Sequence, residues 1–209
     1  MAKQKRDATL TKGNIVLKAM LLFSKQGYDA TTIDDIARES NINKALIYYY
    51  FKNKSGLYSE VMSSVFDAMY EEVTNTKELS HDVVRELEMF IKTYANYAYK
   101  HPYVPALLLR ELSDSGAHLP EMMFASMRRL FALLSDILMR GYQEGIFIKS
   151  IPMVIHFMIL GSLNLMITTQ SLRKKAIVLD EEVDTCHQCN MKEVSEYIFE
   201  TLKKSLEVK

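Results

Sequence analysis

Glycine is scarce in this chain, with seven in 209 residues. There is no glycine-rich phosphate loop, no G-x-S-x-G nucleophile elbow and no H-E-x-x-H pair. The five histidines are scattered. These absences argue against catalysis, and no cofactor is expected. Proline is also rare, at four residues, so little interrupts helices. There are only two cysteines, Cys186 and Cys189, spaced to grip zinc or to form a reversible disulfide. The N-terminus lacks an apolar signal core, which predicts a cytoplasmic location. Asp, Glu, Lys and Arg are missing between Lys149 and Arg173, a span long enough to cross a bilayer. That span carries Pro152, His156, Ser162, Asn164, Thr168, Thr169 and Gln170, a polar load that argues against hydrocarbon. No membrane partner is expected.

Formal net charge is zero, but its distribution is uneven. Residues 1–55 carry ten Lys or Arg and five Asp or Glu, a balance of +5, and the remainder carries −5. A basic head on an acidic body suits a DNA-facing surface. Lys3, Lys5 and Arg6 read as a short basic arm ahead of the first helix.

Residues 31–57 read TTIDDIARESNINKALIYYYFKNKSGL. Thr32 and Asp35 have the spacing of a capping box. Ile33, Ile36 and Ala37 fall at helical spacing and share a face. Asn41 tolerates the left-handed conformation of a sharp stop. Asn43 suits the N-cap of the next helix. There, Ile47 and Phe51 are four apart and face inward, leaving Lys44, Ala45, Tyr48 and Tyr49 on another face. Lysine and tyrosine can reach phosphates, and alanine permits close approach. Two short helices joined by a tight turn have the form of a helix-turn-helix DNA reader. Pattern alone leaves a plain helical hairpin open.

The stretch resembles the tetracycline-repressor (TetR) family of bacterial regulators. The likeness runs from Ile15-Val16-Leu17-Lys18-Ala19, Phe23 and Gly27-Tyr28 through Thr31-Thr32 and Ile36-Ala37. It continues in Ile42-Asn43-Lys44-Ala45, Tyr48, Phe51, Lys54 and Leu57, over roughly the first quarter of the chain. Asn41 stands where the family usually has glycine, Tyr50 where histidine is common, and Leu46 where a small hydroxyl residue is frequent. The resemblance implies an all-α fold, a homodimer, and binding to a double-stranded DNA operator governed by a small effector. The expected DNA contacts are Thr32, Asn43, Lys44, Ala45, Tyr48, Tyr49 and Lys54.

About nine helices are predicted: a head over 1–55 that binds DNA, and a body over 56–209 that binds effector and dimerises. Helix 1 spans about Thr9 to Gln26, with Ile15, Ala19, Leu22 and Phe23 inward and Gly27 as its stop. Helix 4 runs from near Lys54 to Thr74, and helix 5 from Asp82 to Lys100 on Val83, Leu87, Phe90, Ile91, Tyr94 and Ala98. Helix 6 covers Val104 to Leu112. Helix 7 ends at Gly145 and points Phe124, Met127, Phe131, Leu134 and Leu138 inward. Helix 8 is the uncharged span, and after a charged linker helix 9 covers Met191 to Leu206.

Thirteen methionines, nine phenylalanines and twelve tyrosines suit a cavity for an apolar or aromatic effector. Phe66, Tyr70, Phe90, Tyr94, Leu108, Met127, Phe131 and Phe157 are its expected walls, although any one of them also serves as ordinary core. Arg110 and Glu111 read as a surface ion pair or as polar anchors. Met153, Phe157, Leu160 and Asn164 are placed on the dimer face of helix 8. Cys186, His187 and Cys189 are weak metal candidates. The expected metal content is none, and an inert linker is the plainest reading of these thiols. A redox- or zinc-responsive regulator, or an apolar-ligand carrier with a vestigial head, is the alternative function.

Overall fold

The computed structural model describes the backbone of residues 2–77, 82–176, 186 and 189–208, with side chains except at 2–7, 76–77 and 122–123. Ten α-helices occur among these residues: α1 Ala2–Ala30, α2 Ile33–Ser40, α3 Lys44–Phe51, α4 Lys54–Lys77, α5 Val83–Lys100, α6 Tyr103–Ser113, α7 Glu121–Gln143, α8 Pro152–Thr168, α9 Gln170–Ala176 and α10 Met191–Leu206. One isolated bridge, Phe147 with Glu207, is the extended pairing present among them. The fold is all-α, as the pattern predicts, with one helix more than expected.

The additional helix arises within the uncharged span, which breaks at Thr169 and bends by 65°. The hydroxyls of Thr168 and Thr169 donate back to Asn164 O and Leu165 O. Such back-bonding competes with the helical ladder and bends it. Arg173 Nη1 donates to the freed Met166 carbonyl at 2.8 Å, closing the end. No single helix among the described residues is long and apolar enough to cross a membrane; α8 and α9 meet that test only as this bent pair.

The chain folds into two compact units, one of residues 1–67 with 106–126, the other of 68–105 with 127–209. In the first, Ile15, Ala19, Phe23, Ile36, Ile47 and Leu57 are almost fully buried. Leu22, expected beside them, is half-buried. The expected basic arm lies inside α1, which starts seven residues earlier than the pattern suggested. Gly27 is the kink rather than the end of that helix, at φ 86°, ψ 171°. Only glycine takes such angles without steric cost.

Arg110 is exposed, as expected, but instead of pairing with Glu111 it donates to Ser24 O at 2.9 Å and Lys25 O at 2.6 Å, the carbonyls freed by that kink. Glu111 is buried and accepts from the Tyr58 hydroxyl. Burial, followed by this carboxylate, pushes the Tyr58 phenol well above its ordinary range. Asp29, Asp114 and His118 bring donor atoms within 4.8 Å of one another, a grouping that sequence spacing hid. His118 also stacks on Tyr28 at 4.3 Å.

In the second unit α10 packs chiefly on α5, and α8 packs on both. All six apolar positions predicted for α5 are buried. Asp82 caps that helix through Val84 N–H, and Asn190 with Glu193 forms a capping box on α10. The buried Glu86 carboxylate meets Arg140 through two hydrogen bonds, Nη1 to Oε1 at 3.1 Å and Nη2 to Oε2 at 2.5 Å. The stripe on α7, whose start belongs to the first unit, differs from the expected one: there Phe124 is exposed and Ser126 buried, and in the second unit Leu130 is buried. Ser126 turns inward to donate to Asp67 Oδ1 at 2.9 Å.

Candidate nucleic-acid interface

The α2–turn–α3 segment is set by its caps. Thr32 Oγ1 accepts from Asp35 N–H at 3.1 Å, and Asp35 Oδ2 accepts from Thr32 N–H at 3.3 Å. The Thr32 hydroxyl and then Arg38 hold the Asp35 carboxyl below its ordinary range. Asn41 ends α2 at φ 54°, ψ 41°, left-handed as its side chain tolerates. The turn closes when Ile42 N–H donates to Ala37 O at 3.0 Å. Asn43 Oδ1 then accepts from Ala45 N–H at 2.8 Å and starts α3. Asn14 Nδ2 donates to Ser40 O at 3.0 Å, tying α1 to the turn. Each side-chain cap contributes about 1 kcal/mol, so the turn is held by several modest terms.

Helix α3 divides as predicted. Ile47 and Phe51 are buried, whereas Lys44, Ala45, Tyr48 and Tyr49 are exposed, Tyr49 at 79%. The Tyr49 ring meets that of Tyr50 edge-on at 5.4 Å and leaves most of its surface in water. Lys44 Nζ pairs with Asp34 at 2.8 Å, and this bond raises its pKa. Lys52, absent from the expected contacts, closes α3 at positive φ (φ 68°, ψ −51°) and is exposed. Gly56 follows because a Cβ there would lie 2.2 Å from Phe51 O. Thr32 and Asn43 are exposed but occupied as caps. Lys54 is half-buried, its Nζ 4.2 Å from the centre of the Tyr28 ring and 3.3 Å from Asp29 O. The structure therefore gathers Lys44, Ala45, Tyr48 and Tyr49 on one face and turns Lys54 toward α1.

The expected effector walls are more scattered. Phe66 and Leu108 are buried in the first unit. In the second, Phe90 and Tyr94 are buried, and Tyr70, Met127 and Phe131 are half-buried. Phe157 is 62% exposed, so it is not an interior wall. Asn164 is likewise not on an exposed face: it is buried, and its Oδ1 accepts from the Tyr94 hydroxyl at 2.8 Å. Met153 and Phe157 remain exposed beside Val154, Met158 and Leu165, with Leu160 half-buried. Two cavities of about 400 and 610 Å³ open elsewhere, sharing Tyr99, Asn190 and Met191 on their walls. Cys186 and Cys189 are joined in a disulfide, and His187 lies outside the described residues.

Among proteins of known function, the Staphylococcus aureus (strain Newman) biofilm operon icaADBC HTH-type negative transcriptional regulator IcaR is 36% identical over 80 residues, 38% of this chain and 43% of that protein. The HTH-type transcriptional regulator AcrR of Shigella flexneri is 33% identical over 110 residues, 53% of this chain and 41% of that protein. The match thus spans less than half the length of either relative. A TetR family regulator from Marinobacter aquaeolei VT8 shares the fold at TM-score 0.75 and 15% identity, covering 99% of this chain and 100% of the other. FadR from Bacillus subtilis, solved in complex with stearoyl-CoA, does so at 0.71 and 19%, covering 92% and 97%. Residues 15–61 match the family described as bacterial regulatory proteins, tetR family, and residues 58–193 match the YsiA-like protein, C-terminal region. With its capped helix-turn-helix and its matched helical body, the chain belongs to the TetR family of bacterial regulatory proteins.

Proposed function

We propose that the chain is a cytoplasmic repressor, released from a palindromic operator by a small apolar or aromatic effector. The observation that carries this reading is the outward face of α3. Lys44, Ala45, Tyr48 and Tyr49 are exposed on a helix whose other side is anchored by buried Ile47 and Phe51. On the operator, Lys44 exchanges Asp34 for a phosphate, Tyr48 and Tyr49 contact backbone and base edges, and Thr32 and Asn43 offer exposed polar groups beside them. The functional division falls near residue 55, with residues 56–209 serving effector and dimer.

Two heads bound to one duplex need a fixed spacing. The apolar stripe Met153, Phe157 and Leu160 supplies a two-fold homodimer contact, since exposed apolar surface of this extent favours association. The effector sits within the body against Tyr70, Phe90, Tyr94, Met127 and Phe131, where soft and aromatic side chains adapt to apolar shapes. Stearoyl-CoA in the FadR structure supports an effector with a large apolar portion. Binding there shifts the spacing of the heads, and by linkage operator and effector weaken each other equally, by about 5- to 150-fold.

Selection of genomic fragments on the purified protein tests the reading. An enriched palindrome, footprinted over two half-sites about one helical turn apart, is the expected outcome. Failure to enrich any sequence would refute it.

A further inference from the structure

We propose that the Cys186–Cys189 disulfide is a thiol–disulfide exchange site that takes anionic low-molecular-weight thiols. The two cysteines are the only ones in the chain, and their sulfurs are bonded across a separation of three residues. A loop this short removes little entropy from the unfolded chain, so the bond is a weak staple. In a reducing cytoplasm such a bond is transient and redox-active; this step rests on the reading of the chain as a cytoplasmic regulator.

The surroundings specify the partner. Cys189 lines the cavity of about 610 Å³ together with Lys100, Arg173 and Lys174, and no carboxylate is among its described lining residues. Arg173 Nε is buried there with no hydrogen-bond partner. Cys189 also stands one residue ahead of Asn190, the cap of the 16-residue α10. Cations and a helix N-terminus both favour a thiolate, so Cys189 is the better leaving group and Cys186 the sulfur attacked. The same cations draw in a negatively charged thiol and repel a positively charged one.

The exchange balances as follows. A thiolate RS⁻ attacks Cys186 Sγ; the Cys186–Cys189 bond breaks and Cys189 leaves as thiolate. A second RS⁻ attacks the sulfur of the mixed disulfide on Cys186, releasing RSSR and the Cys186 thiolate. Both protein thiolates take protons from water. Two RSH are oxidised to RSSR, the protein disulfide is reduced to two thiols, and a disulfide of the same class reverses the process.

The test compares 2-mercaptoethanesulfonate with cysteamine at equal thiolate concentration on the oxidised full chain, following thiol release by alkylation and mass. The anionic reagent is expected to react about tenfold faster at low salt, the lower end of charge steering. That preference should shrink at high salt and in Lys174→Gln and Lys100→Gln, both exposed positions that leave the core intact. Equal rates for the two reagents would overturn the proposal, as would a preference unchanged in both variants or a protein that forms no disulfide with excess dithio reagent. The readout needs no operator, so a negative result here leaves the regulator reading standing, and the two failures are distinguishable.

Discussion

Asn41 offers a sharp test of how the helix-turn-helix is built. It is exposed and left-handed, at φ 54° and ψ 41°, so a substitution changes backbone cost with little change in packing. Its N–H reaches Ala37 O and Arg38 O, and Ile42 N–H reaches Ala37 O at 3.0 Å. Both bonds need the turn in this conformation. A β-branched residue meets the following carbonyl there, at about 1–2 kcal/mol. Asn41→Val should therefore lower the unfolding midpoint by about 2–8 °C, at roughly 2–4 °C per kcal/mol for a chain of this size. Asn41→Gly should be neutral or stabilising by a few tenths, and Asn41→Ala should fall between. Thermal unfolding followed by circular dichroism gives the ranking. Operator affinity of Asn41→Val should drop beyond the stability loss at temperatures where it stays folded, because α3 is re-aimed. If valine and glycine variants unfold together, the left-handed turn is not what holds α2 and α3.

Three further outcomes follow from buried and exposed groups in the second unit. His156 is buried without a partner for Nδ1, and burial lowers its pKa. The unfolded chain therefore takes up a proton first, near its ordinary value of about 6.5, and stability should fall as pH drops below that point, by at most about 1.4 kcal/mol per unit; His156→Leu should flatten this slope in denaturant titrations. Arg140→Leu strands the Glu86 carboxylate and should cost about 2–4 kcal/mol, below the fully buried limit because the guanidinium is 29% exposed; adding Glu86→Leu should recover most of it. Phe157→Asp places a charge on the proposed dimer stripe, and sedimentation should show a monomer with most operator affinity lost.

Much of the head was legible because its determinants are local. Thr32 with Asp35, Asn41 and Asn43 act on backbone groups within a few residues, so their spacing alone discloses the caps. The stripe on α5 was legible for the same reason, since period follows from helix geometry. The rest depended on partners far away in sequence. Asn164 turns inward because the Tyr94 hydroxyl, 70 residues earlier, awaits an acceptor. Ser126 takes an interior place from Phe124 because Asp67 accepts from it. Arg110 reaches carbonyls that become free only once Gly27 kinks α1. The break at Thr169 is local, since Thr169 bonds back to Leu165 O and Arg173 to Met166 O, but hydropathy and charge alone do not distinguish such hydroxyls from ordinary helix positions. On α3 the buried positions Ile47 and Phe51 were legible from their spacing, whereas the exposed Lys52 follows the last helical residue, where periodicity no longer applies.

The most direct test of the central claim is a salt titration of operator binding by the parent, Lys44→Ala and Tyr49→Ala. For the parent, log affinity should fall against log salt with a slope on the order of −4 to −9. Lys44→Ala should reduce that slope by about one per head, and Tyr49→Ala should weaken binding, with both variants as stable as the parent. Parent-like affinity and slope in both variants would contradict the assignment of α3 as the surface that meets DNA.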